Sequence, residues 1–177
     1  MMPRSPAGLP GAALALFVAL PSLWLPLSSQ ANPVCPPSGE RTVLHVHIAT
    51  QPAQACDMQA LERLSPREIA TTLPQALGMP GTSRWRGVSL RQLVEQLGGN
   101  ELHQIELTAL NDYSVRIPWS DLVQYDPILA YRRDQQPIGI RDKGPLILIY
   151  PFDRHPRLQK QDYVNRTIWQ VNVLSVR

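Results

Sequence analysis

Polar and aromatic side chains that could bind a small ligand are gathered in short segments of this 177-residue sequence. Amide, carboxylate and guanidinium groups accept or donate hydrogen bonds, and an aromatic ring or a guanidinium plane offers a face for stacking. These segments follow or precede runs that are typical of β-strands, whose ends can converge on one pocket. The candidate binding residues are Asn111, Asp112 and Tyr113; Arg141, Asp142 and Lys143; and Asp153 and Arg154 beside His155, with Arg166 further along the chain.

Two of these segments also have a purely structural interpretation, which stays open at this point. Asn111 and Asp112 would make a good turn between two strands, because both side chains can bond to nearby backbone groups. Residues 141–144 are compatible with an ordinary solvated turn. Aromatic residues such as Trp85, Trp119 and Trp169 are more typical of a core than of a ligand platform.

Other kinds of functional site have little support in the sequence. His45 and His47 share one face of a predicted strand, but two histidines without a third histidine or a carboxylate nearby are weak grounds for a metal site. The sequence has no Gly-rich phosphate loop, and residue order assigns no Ser-His-Asp arrangement. The formal net charge of +3 comes from scattered basic residues, without a basic stripe interleaved with aromatics. This pattern argues against nucleic-acid binding.

The N-terminal segment has the features of a cleaved secretory signal. A basic residue precedes an apolar run over residues 12–20, and Ser29 and Ala31 place small residues three and one positions before a candidate cleavage site. A permanent anchor needs about 20 apolar residues, and prolines interrupt this run too early. We therefore expect residues 1–31 to be a signal peptide and residues 32–177 to form a single exported domain that is not embedded in the membrane.

The two cysteines, Cys35 and Cys56, flank a strand predicted over residues 42–48. In an exported protein with an even number of cysteines, a disulfide is the default expectation. It would close a loop of about 20 residues, which is worth roughly 3 kcal/mol in the chain-entropy model. A thiolate acting as a nucleophile or a metal ligand is the alternative, and it stays open because the sequence gives no distance between the cysteines.

Capping signals predict a small number of short helices. The clearest helix starts after Ser89, with Gln92 completing a capping box, and ends at Gly98 and the glycine that follows it. A shorter helix is predicted over residues 58–64, and one further turn is predicted where Ser120 can act as the cap. Helices are therefore expected to be a minor part of the fold.

Strands are expected to make up most of the domain. Residues 74–87, rich in Gly and Pro, are predicted to form a loop. The continuous apolar run over residues 146–150 predicts a central strand, and residues 167–176 predict a last strand with Trp169, Val171 and Val173 on one face. The pattern favours an α+β domain with mixed or antiparallel β-sheets. The remaining predicted strands cover residues 42–48, 68–72, 105–110, 113–117, 128–131 and 137–140.

Four stretches form a set whose order and spacing are more specific than any one of them. They are residues 84–88, residues 128–131 followed by 136–138, residues 143–148, and residues 163–169. Together they resemble the molybdopterin-binding domain of the sulfite oxidase family, and the resemblance covers about residues 42–176. It implies a sulfite oxidase-like molybdopterin-binding fold with a pterin as ligand.

The sequence departs from the catalytic members of that family at one informative place. In those members a cysteine thiolate between the second strand and the Trp-Arg-Gly-like motif ligates molybdenum. Here residues 71–84 contain no cysteine, and Cys35 and Cys56 both lie too early. The Thr, Gln and Met side chains available there cannot replace a soft thiolate. Ile168 also stands where the family places a basic residue near the cofactor phosphate, so the resemblance implies a pterin ligand without the molybdenum cofactor.

Short exported members of this fold that lack the cysteine resemble periplasmic pterin-binding proteins, which report pterin occupancy to a membrane-bound enzyme of cyclic-di-GMP metabolism. The resemblance thus implies a non-catalytic periplasmic sensor whose partner is the periplasmic domain of a membrane signalling protein. In it Asp112 or Asp142 would accept from the amino edge of the pterin, while Arg141, Arg154 or Arg166 would supply charge or a stacking plane.

Two alternatives to a sensor stay open. One is a molybdopterin-dependent oxidoreductase of the sulfite oxidase family with atypical metal ligation. The other is a purely structural or interaction domain with an empty pocket. Bound pterin and bound molybdenum are the quantities that separate the three hypotheses.

Overall fold

The computed structural model describes residues 33–36, 39–49 and 51–177, which belong to one compact unit, Asn32–Arg177. The predicted signal peptide, residues 1–31, lies outside the described residues and stays a prediction, as does the single domain over residues 32–177. In the described part of the chain, no helix is long and apolar enough to cross a membrane.

Strands and short helices alternate along the described chain. The strands are β1 (Thr42–Ile48), β2 (Gln54–Asp57), β3 (Pro66–Thr72), β4 (Thr82–Ser89), β5 (Ile105–Ala109), β6 (Ser114–Ile117), β7 (Ile128–Arg133), β8 (Gln136–Pro137), β9 (Ile147–Ile149) and β10 (Val171–Val176). The α-helices are α1 (Met58–Arg63), α2 (Leu90–Gln96), α3 (Trp119–Tyr125) and α4 (Gln161–Arg166). Short 3-10 helices lie at Gln75–Leu77, Ile140–Asp142, Phe152–Arg154 and Pro156–Gln159.

The strands of the described residues form two sheets. The first sheet has the order β2-β1-β10-β5-β6, with β1 parallel to β10 and the other neighbours antiparallel. The second sheet has the order β3-β4-β7-β8, with β9 also paired to β7, and all of its pairs are antiparallel. The predicted α+β class, with mixed or antiparallel sheets and few short helices, is therefore confirmed.

The pattern of apolar residues explains which strand faces are buried. In β1, Leu44 and Val46 are buried whereas His45 and His47 are exposed, as the alternation predicts. β9 is fully buried, with β7 on one side and a bridge from Ile147 to Trp169 on the other. This position agrees with the central strand that the continuous apolar run predicts.

Helix α2 forms where the capping signals place it. The Ser89 hydroxyl accepts a hydrogen bond from the backbone N–H of Gln92 at 3.0 Å, which satisfies one of the free donors of the first turn. Leu90, Leu93 and Val94 are buried on one face of the helix. The predicted helix is thus confirmed.

The predicted loop over residues 74–87 is wrong in its second half, because β4 begins at Thr82. Gly87 is a strand residue at a register shift between Arg86 and Gly87. A Cβ atom on Gly87 would overlap the carbonyl oxygen of Leu129 in β7. Glycine here marks a close approach of two strands, which composition alone cannot distinguish from a turn.

The predicted strand over residues 167–176 is wrong at its start and in its face. β10 begins at Val171, because Gln170 adopts a left-handed conformation with φ 53°. A register shift between Val171 and Val173 then interrupts the alternation. Consequently the buried residues of β10 are Val171, Leu174, Ser175 and Val176, and Val173 is only partly buried.

Two smaller boundaries also differ from prediction. The strand predicted over residues 137–140 reduces to Gln136–Pro137, since the chain turns at Gly139 into the 3-10 helix Ile140–Asp142. The helical turn predicted after Ser120 is α3, which begins at Trp119 and has Pro118, not Ser120, as its N-cap.

The predicted disulfide between Cys35 and Cys56 is confirmed, with Cα atoms 4.8 Å apart. Both cysteines are buried, so the bond joins residues 33–36 to β2 within the core. The next residue, Asp57, caps α1 by accepting from the backbone N–H of Ala60 at 2.6 Å. The disulfide therefore holds the start of α1 as well as the N-terminal segment.

Candidate functional site

Trp169 is held in place by backbone hydrogen bonds between its own segment and the segment that leads into β9. Leu148 N donates to Ile168 O at 2.9 Å, and Gln170 N donates to Lys143 O at 2.9 Å. The left-handed conformation of Lys143, with φ 70°, turns the chain at this point. These bonds bring the side chains of Lys143 and Trp169 together.

Lys143 links Trp169 to the loop between β3 and β4. Its Nζ lies 4.3 Å from the centre of the indole ring, a cation–π contact. The same ammonium group donates a hydrogen bond to the carbonyl oxygen of Leu77, in the 3-10 helix Gln75–Leu77. One side chain thus covers part of the tryptophan and anchors the loop beside it.

A cavity of about 390 Å³ opens next to this tryptophan. We call it the tryptophan cavity. Ligand cavities typically enclose about 300–1,000 Å³ and combine an apolar wall with a few polar groups. It is lined by Ala76, Leu77, Ala109, Asn111, Tyr113, Gln161, Val164, Asn165, Thr167, Ile168 and Trp169.

Amide groups, rather than carboxylates, provide the polar side chains of the tryptophan cavity. Asn165 Oδ1 accepts from Gln161 Nε2 at 2.8 Å, and the Tyr113 hydroxyl donates to the backbone carbonyl of Asn165 at 3.2 Å. Asn111 Oδ1 accepts from the backbone N–H of Tyr113 at 3.3 Å. An amide offers both a donor and an acceptor, so this wall can match a ligand edge that carries a carbonyl beside an amino group.

A second cavity, of about 620 Å³, lies against the loop between β3 and β4, and we call it the loop cavity. Gln75 and Gly78 line it, whereas Ala76 and Leu77 line the tryptophan cavity, so the 3-10 helix contributes to both. Asp153 reaches the loop cavity and accepts from the backbone N–H of Thr72 at 2.7 Å. That bond fixes the end of β3.

The predicted site residues therefore fall into separate groups. Asn111 and Tyr113 line the tryptophan cavity, Lys143 contacts its tryptophan, and Asp153 lines the loop cavity. Four other residues of these segments are exposed and line neither cavity: Asp112, Arg141, Asp142 and Arg154. Asp112 lies in the β5–β6 turn and has a left-handed φ of 65°.

Arg166 is directed away from the tryptophan cavity, into an ion pair with Asp121. The Arg166 Nη1 to Asp121 Oδ2 distance is 2.9 Å, and the Asp121 side chain is 4% exposed. The Tyr150 hydroxyl donates to the same carboxylate oxygen at 2.9 Å. The guanidinium also lies over the Tyr163 ring, 5.2 Å from its centre. In this position Arg166 compensates a buried charge.

Tyrosines surround this ion pair, and two of them have perturbed acidities. Burial raises the pKa of Tyr150 well above 10.0, and the negative charge of Asp121 raises it further. The hydrogen bond with Tyr163, at 3.3 Å, raises the pKa of Tyr125, with burial adding to the effect. The neutral phenols are therefore favoured in the folded protein.

These acidities predict alkaline destabilisation. Because the folded pKa values exceed those of the unfolded chain, this contribution to stability is complete below about pH 10 and is lost as pH rises beyond it. Urea unfolding at pH 8.5, 10 and 11 should show a midpoint that falls at the highest pH. The fall should be smaller in Tyr150→Phe than in the exposed-site control Tyr113→Phe, and equal falls would contradict the assignment.

Sequence reasoning missed several residues of the tryptophan cavity. Gln161 and the 3-10 helix residues Ala76 and Leu77 carry no motif, and Trp169 is more typical of a core residue by type. Asn165 lies within the last of the four resembling stretches, and that stretch is the signal by which it could have been found. The loop and α4 meet only in the folded chain.

The comparisons with known proteins address the fold. A sequence model described as "Oxidoreductase molybdopterin binding domain" matches residues 44–153. A search of curated proteins returned no match. Among solved structures, the sulfane dehydrogenase SoxCD from Paracoccus pantotrophus is similar, with a TM-score of 0.55 and 12% identity.

The match with SoxCD covers 81% of this chain and 40% of the SoxCD chain, so this chain spans less than half of its relative. At this identity the similarity establishes the fold alone, and the predicted sulfite oxidase-like fold is confirmed. The family model covers more than half of the sequence, and this protein therefore belongs to the oxidoreductase molybdopterin-binding domain family, whose ligand contains a pterin.

Proposed function

We propose that this chain is a periplasmic pterin-binding protein without catalysis of its own, which acts as the sensor subunit of a membrane-bound enzyme of cyclic-di-GMP metabolism. The observation that carries the proposal is the absence of a thiolate donor. The sequence contains two cysteines, and both are consumed by the Cys35–Cys56 disulfide. The segment over residues 71–84, from which the resembling enzymes ligate molybdenum, contains no cysteine, and its Thr, Gln and Met side chains cannot replace a soft thiolate.

The tryptophan cavity fits the pterin part of the family ligand. A pterin is a flat heteroaromatic ring with a 2-amino-4-oxo edge, and the indole of Trp169 offers a surface for stacking. Asn111, Gln161 and Asn165 can exchange hydrogen bonds with the polar edge. Nothing in this arrangement requires a metal ion.

The turn between β5 and β6 supports a readout by a partner protein. Asn111 and Tyr113 line the cavity, while Leu110 and Tyr113 are each 49% exposed. Contiguous exposed apolar side chains are typical of protein contacts, and Leu110 and Tyr113 are two such side chains in one turn. A ligand that contacts this turn would therefore change a surface that a signalling partner can bind.

The alternative is a molybdopterin-dependent oxidoreductase with atypical metal ligation, which the family's oxidoreductase description favours. Elemental analysis and pterin fluorescence of the purified protein separate the two. Pterin without molybdenum supports the sensor, and stoichiometric molybdenum supports the oxidoreductase. If neither is present and added pterin does not bind, both proposals fail.

The signalling role has its own test. Deleting the gene should change cellular cyclic-di-GMP and abolish its response to pterin supply. Wild-type protein should restore the response, whereas a folded variant that cannot bind pterin should not. An unchanged response in the deletion strain would refute the sensor role and leave pterin binding intact.

Replacing Trp169 by leucine is expected to weaken the binding of tetrahydropterin about 10- to 100-fold. Losing an aromatic stacking partner costs about 1–3 kcal/mol for a heteroaromatic base, and leucine keeps most of the apolar volume. Calorimetric titration measures the change. Trp119→Leu is the matched control, because Trp119 is partly buried but lines neither cavity.

The same titration tests the acidic residues that the resemblance placed at the ligand. Because Asp142 is exposed in the structure, Asp142→Ala should change the free energy of binding by less than about 0.5 kcal/mol, the usual effect of a surface substitution. A larger loss in Asp142→Ala than in Trp169→Leu would place the ligand at the 141–143 segment and outside the tryptophan cavity.

A further inference from the structure

The exposed face of the second sheet carries a charged groove that the proposed function does not use. It encloses about 470 Å³ and is lined by Glu62, Glu68, Arg84, Arg86, Tyr131, Arg132 and Gln135. None of these residues lines the tryptophan cavity or the loop cavity. We call it the arginine groove.

Strand geometry explains why three arginines share this face. Arg84 and Arg86 are two residues apart in β4, so their side chains point to the same side of the sheet. Arg132 in β7 lies directly opposite Arg86 in the strand register. Like charges in opposite positions destabilise a sheet, so the arrangement needs negative charge close by.

Carboxylates of the chain meet this need only in part. Glu62 pairs with Arg132 at 2.8 Å, which neutralises that guanidinium. Glu68 lies 3.7 Å from Arg86, too far for a hydrogen bond. The Arg84 guanidinium makes no hydrogen bond or ion pair with any residue that the structure describes. One positive charge in the groove is thus left without compensation.

Tyr131 adds a hydroxyl group to the groove. Its side chain is 2% exposed and lines the groove. Within the described residues its hydroxyl has no hydrogen-bond partner, and it is not one of the buried polar atoms that lack one, so the oxygen opens to the groove. A hydroxyl held in this way by a buried ring can donate to a ligand without first breaking a bond within the protein.

We propose that the arginine groove binds a small ligand through an oxyanion, phosphate or carboxylate, held by the guanidinium groups of Arg84 and Arg86 and by the hydroxyl of Tyr131. Guanidinium groups match the paired oxygens of these anions and bind them by two parallel hydrogen bonds. The anion would also relieve the repulsion between Arg86 and Arg132. This site is separate from pterin binding and does not depend on it.

Inorganic phosphate and succinate at constant ionic strength are the probes. Calorimetric titration of the wild-type protein should show saturable binding of at least one of them, and the one that binds identifies the source of the oxyanion. Arg84→Gln should weaken binding about 10- to 100-fold, since a hydrogen bond to a charged group is worth about 1.5–3 kcal/mol. Tyr131→Phe should weaken it by a smaller factor.

Arg91→Gln is the matched control, because Arg91 is a partly exposed arginine on α2 whose partner is Glu95. It should bind the probe like the wild type. Arg84→Lys keeps the charge and loses the planar pair of donors, so it should bind more weakly than the wild type and more tightly than Arg84→Gln. No saturable binding, or equal affinity in Arg84→Gln and Arg91→Gln, would overturn the proposal.

Discussion

Replacing Arg166 by methionine is expected to lower the free energy of unfolding by about 3–5 kcal/mol and to leave pterin binding nearly unchanged. The substitution removes the cation that lies 2.9 Å from the Asp121 carboxylate, whose side chain is 4% exposed. The carboxylate then keeps the Tyr150 hydroxyl as a partner but has no compensating charge. Urea unfolding followed by circular dichroism measures the loss, and calorimetric titration of tetrahydropterin measures binding.

A double variant and a surface variant make this result specific. Replacing both partners, in Asp121→Asn with Arg166→Met, should recover part of the lost stability, because no uncompensated charge stays buried. Arg116→Met should change stability by less than about 1 kcal/mol, since Arg116 is 76% exposed and its contact with Glu106 is 3.9 Å. If Arg166→Met instead keeps its stability and loses pterin binding, Arg166 is a ligand residue, as the sequence alone suggests.

The position of Arg166 illustrates what a motif can and cannot predict. The stretch over residues 163–169 lies beyond residues 44–153, which the family model matches, yet four of its residues besides the tryptophan line the tryptophan cavity: Val164, Asn165, Thr167 and Ile168. Within one helical turn, however, neighbouring residues point in different directions. Asn165 faces the cavity and Arg166 faces Asp121. The rotation of α4 about its axis determines which of these two side chains lines the cavity.

Much of the fold could be predicted because local signals and burial agree. The cap of α2 at Ser89 and the alternation in β1 each determine their element from a few adjacent residues. The errors occur where contacts with a segment distant in the sequence determine the conformation. Gly87 is typical of a loop by residue type, and only the close approach of β7 explains it as a strand residue. The start of β10 depends on the pairing of residues 168–171 with residues 143–148.

The candidate site could be predicted less completely, because it is assembled from segments far apart in the sequence. A search for polar and aromatic residue types that could bind a ligand identified Asn111, Tyr113 and Lys143, and these residues do lie around Trp169. The same criterion selected Asp112 and Asp142, which the turns at their positions leave exposed. Residue type indicates what a side chain can bind, whereas the backbone conformation of the turn decides whether it faces the cavity.

The amide wall of the tryptophan cavity has a consequence for the ligand. Amides carry no charge, so they do not favour a charged form of a bound ring over a neutral one, as a carboxylate would. Lys143 brings a positive charge to the indole, but its ammonium group does not line the cavity and is engaged by the carbonyl oxygen of Leu77. The cavity is therefore suited to a neutral heteroaromatic ring, and binding of tetrahydropterin should depend weakly on salt.

Removing the disulfide, in Cys35→Ala with Cys56→Ala, is expected to lower the free energy of unfolding by about 3 kcal/mol. The cross-link spans 21 residues of sequence, and without it the unfolded chain gains the conformational freedom of that loop. Alanine avoids placing a hydroxyl at Cys56, which is fully buried. The shift of the urea midpoint between the wild type and the double variant measures the effect.

A reducing agent provides the matched control for this prediction. It should lower the urea midpoint of the wild type towards that of the double variant and leave the double variant unchanged, because the variant has no cysteine left to reduce. The loss should extend to α1, since Asp57 follows Cys56 directly and caps that helix. Glu62 in α1 neutralises Arg132. If the double variant changes hydrogen exchange in α1, it should therefore also change the affinity of the arginine groove for phosphate. A double variant as stable as the wild type would show that packing of β2 alone holds this region.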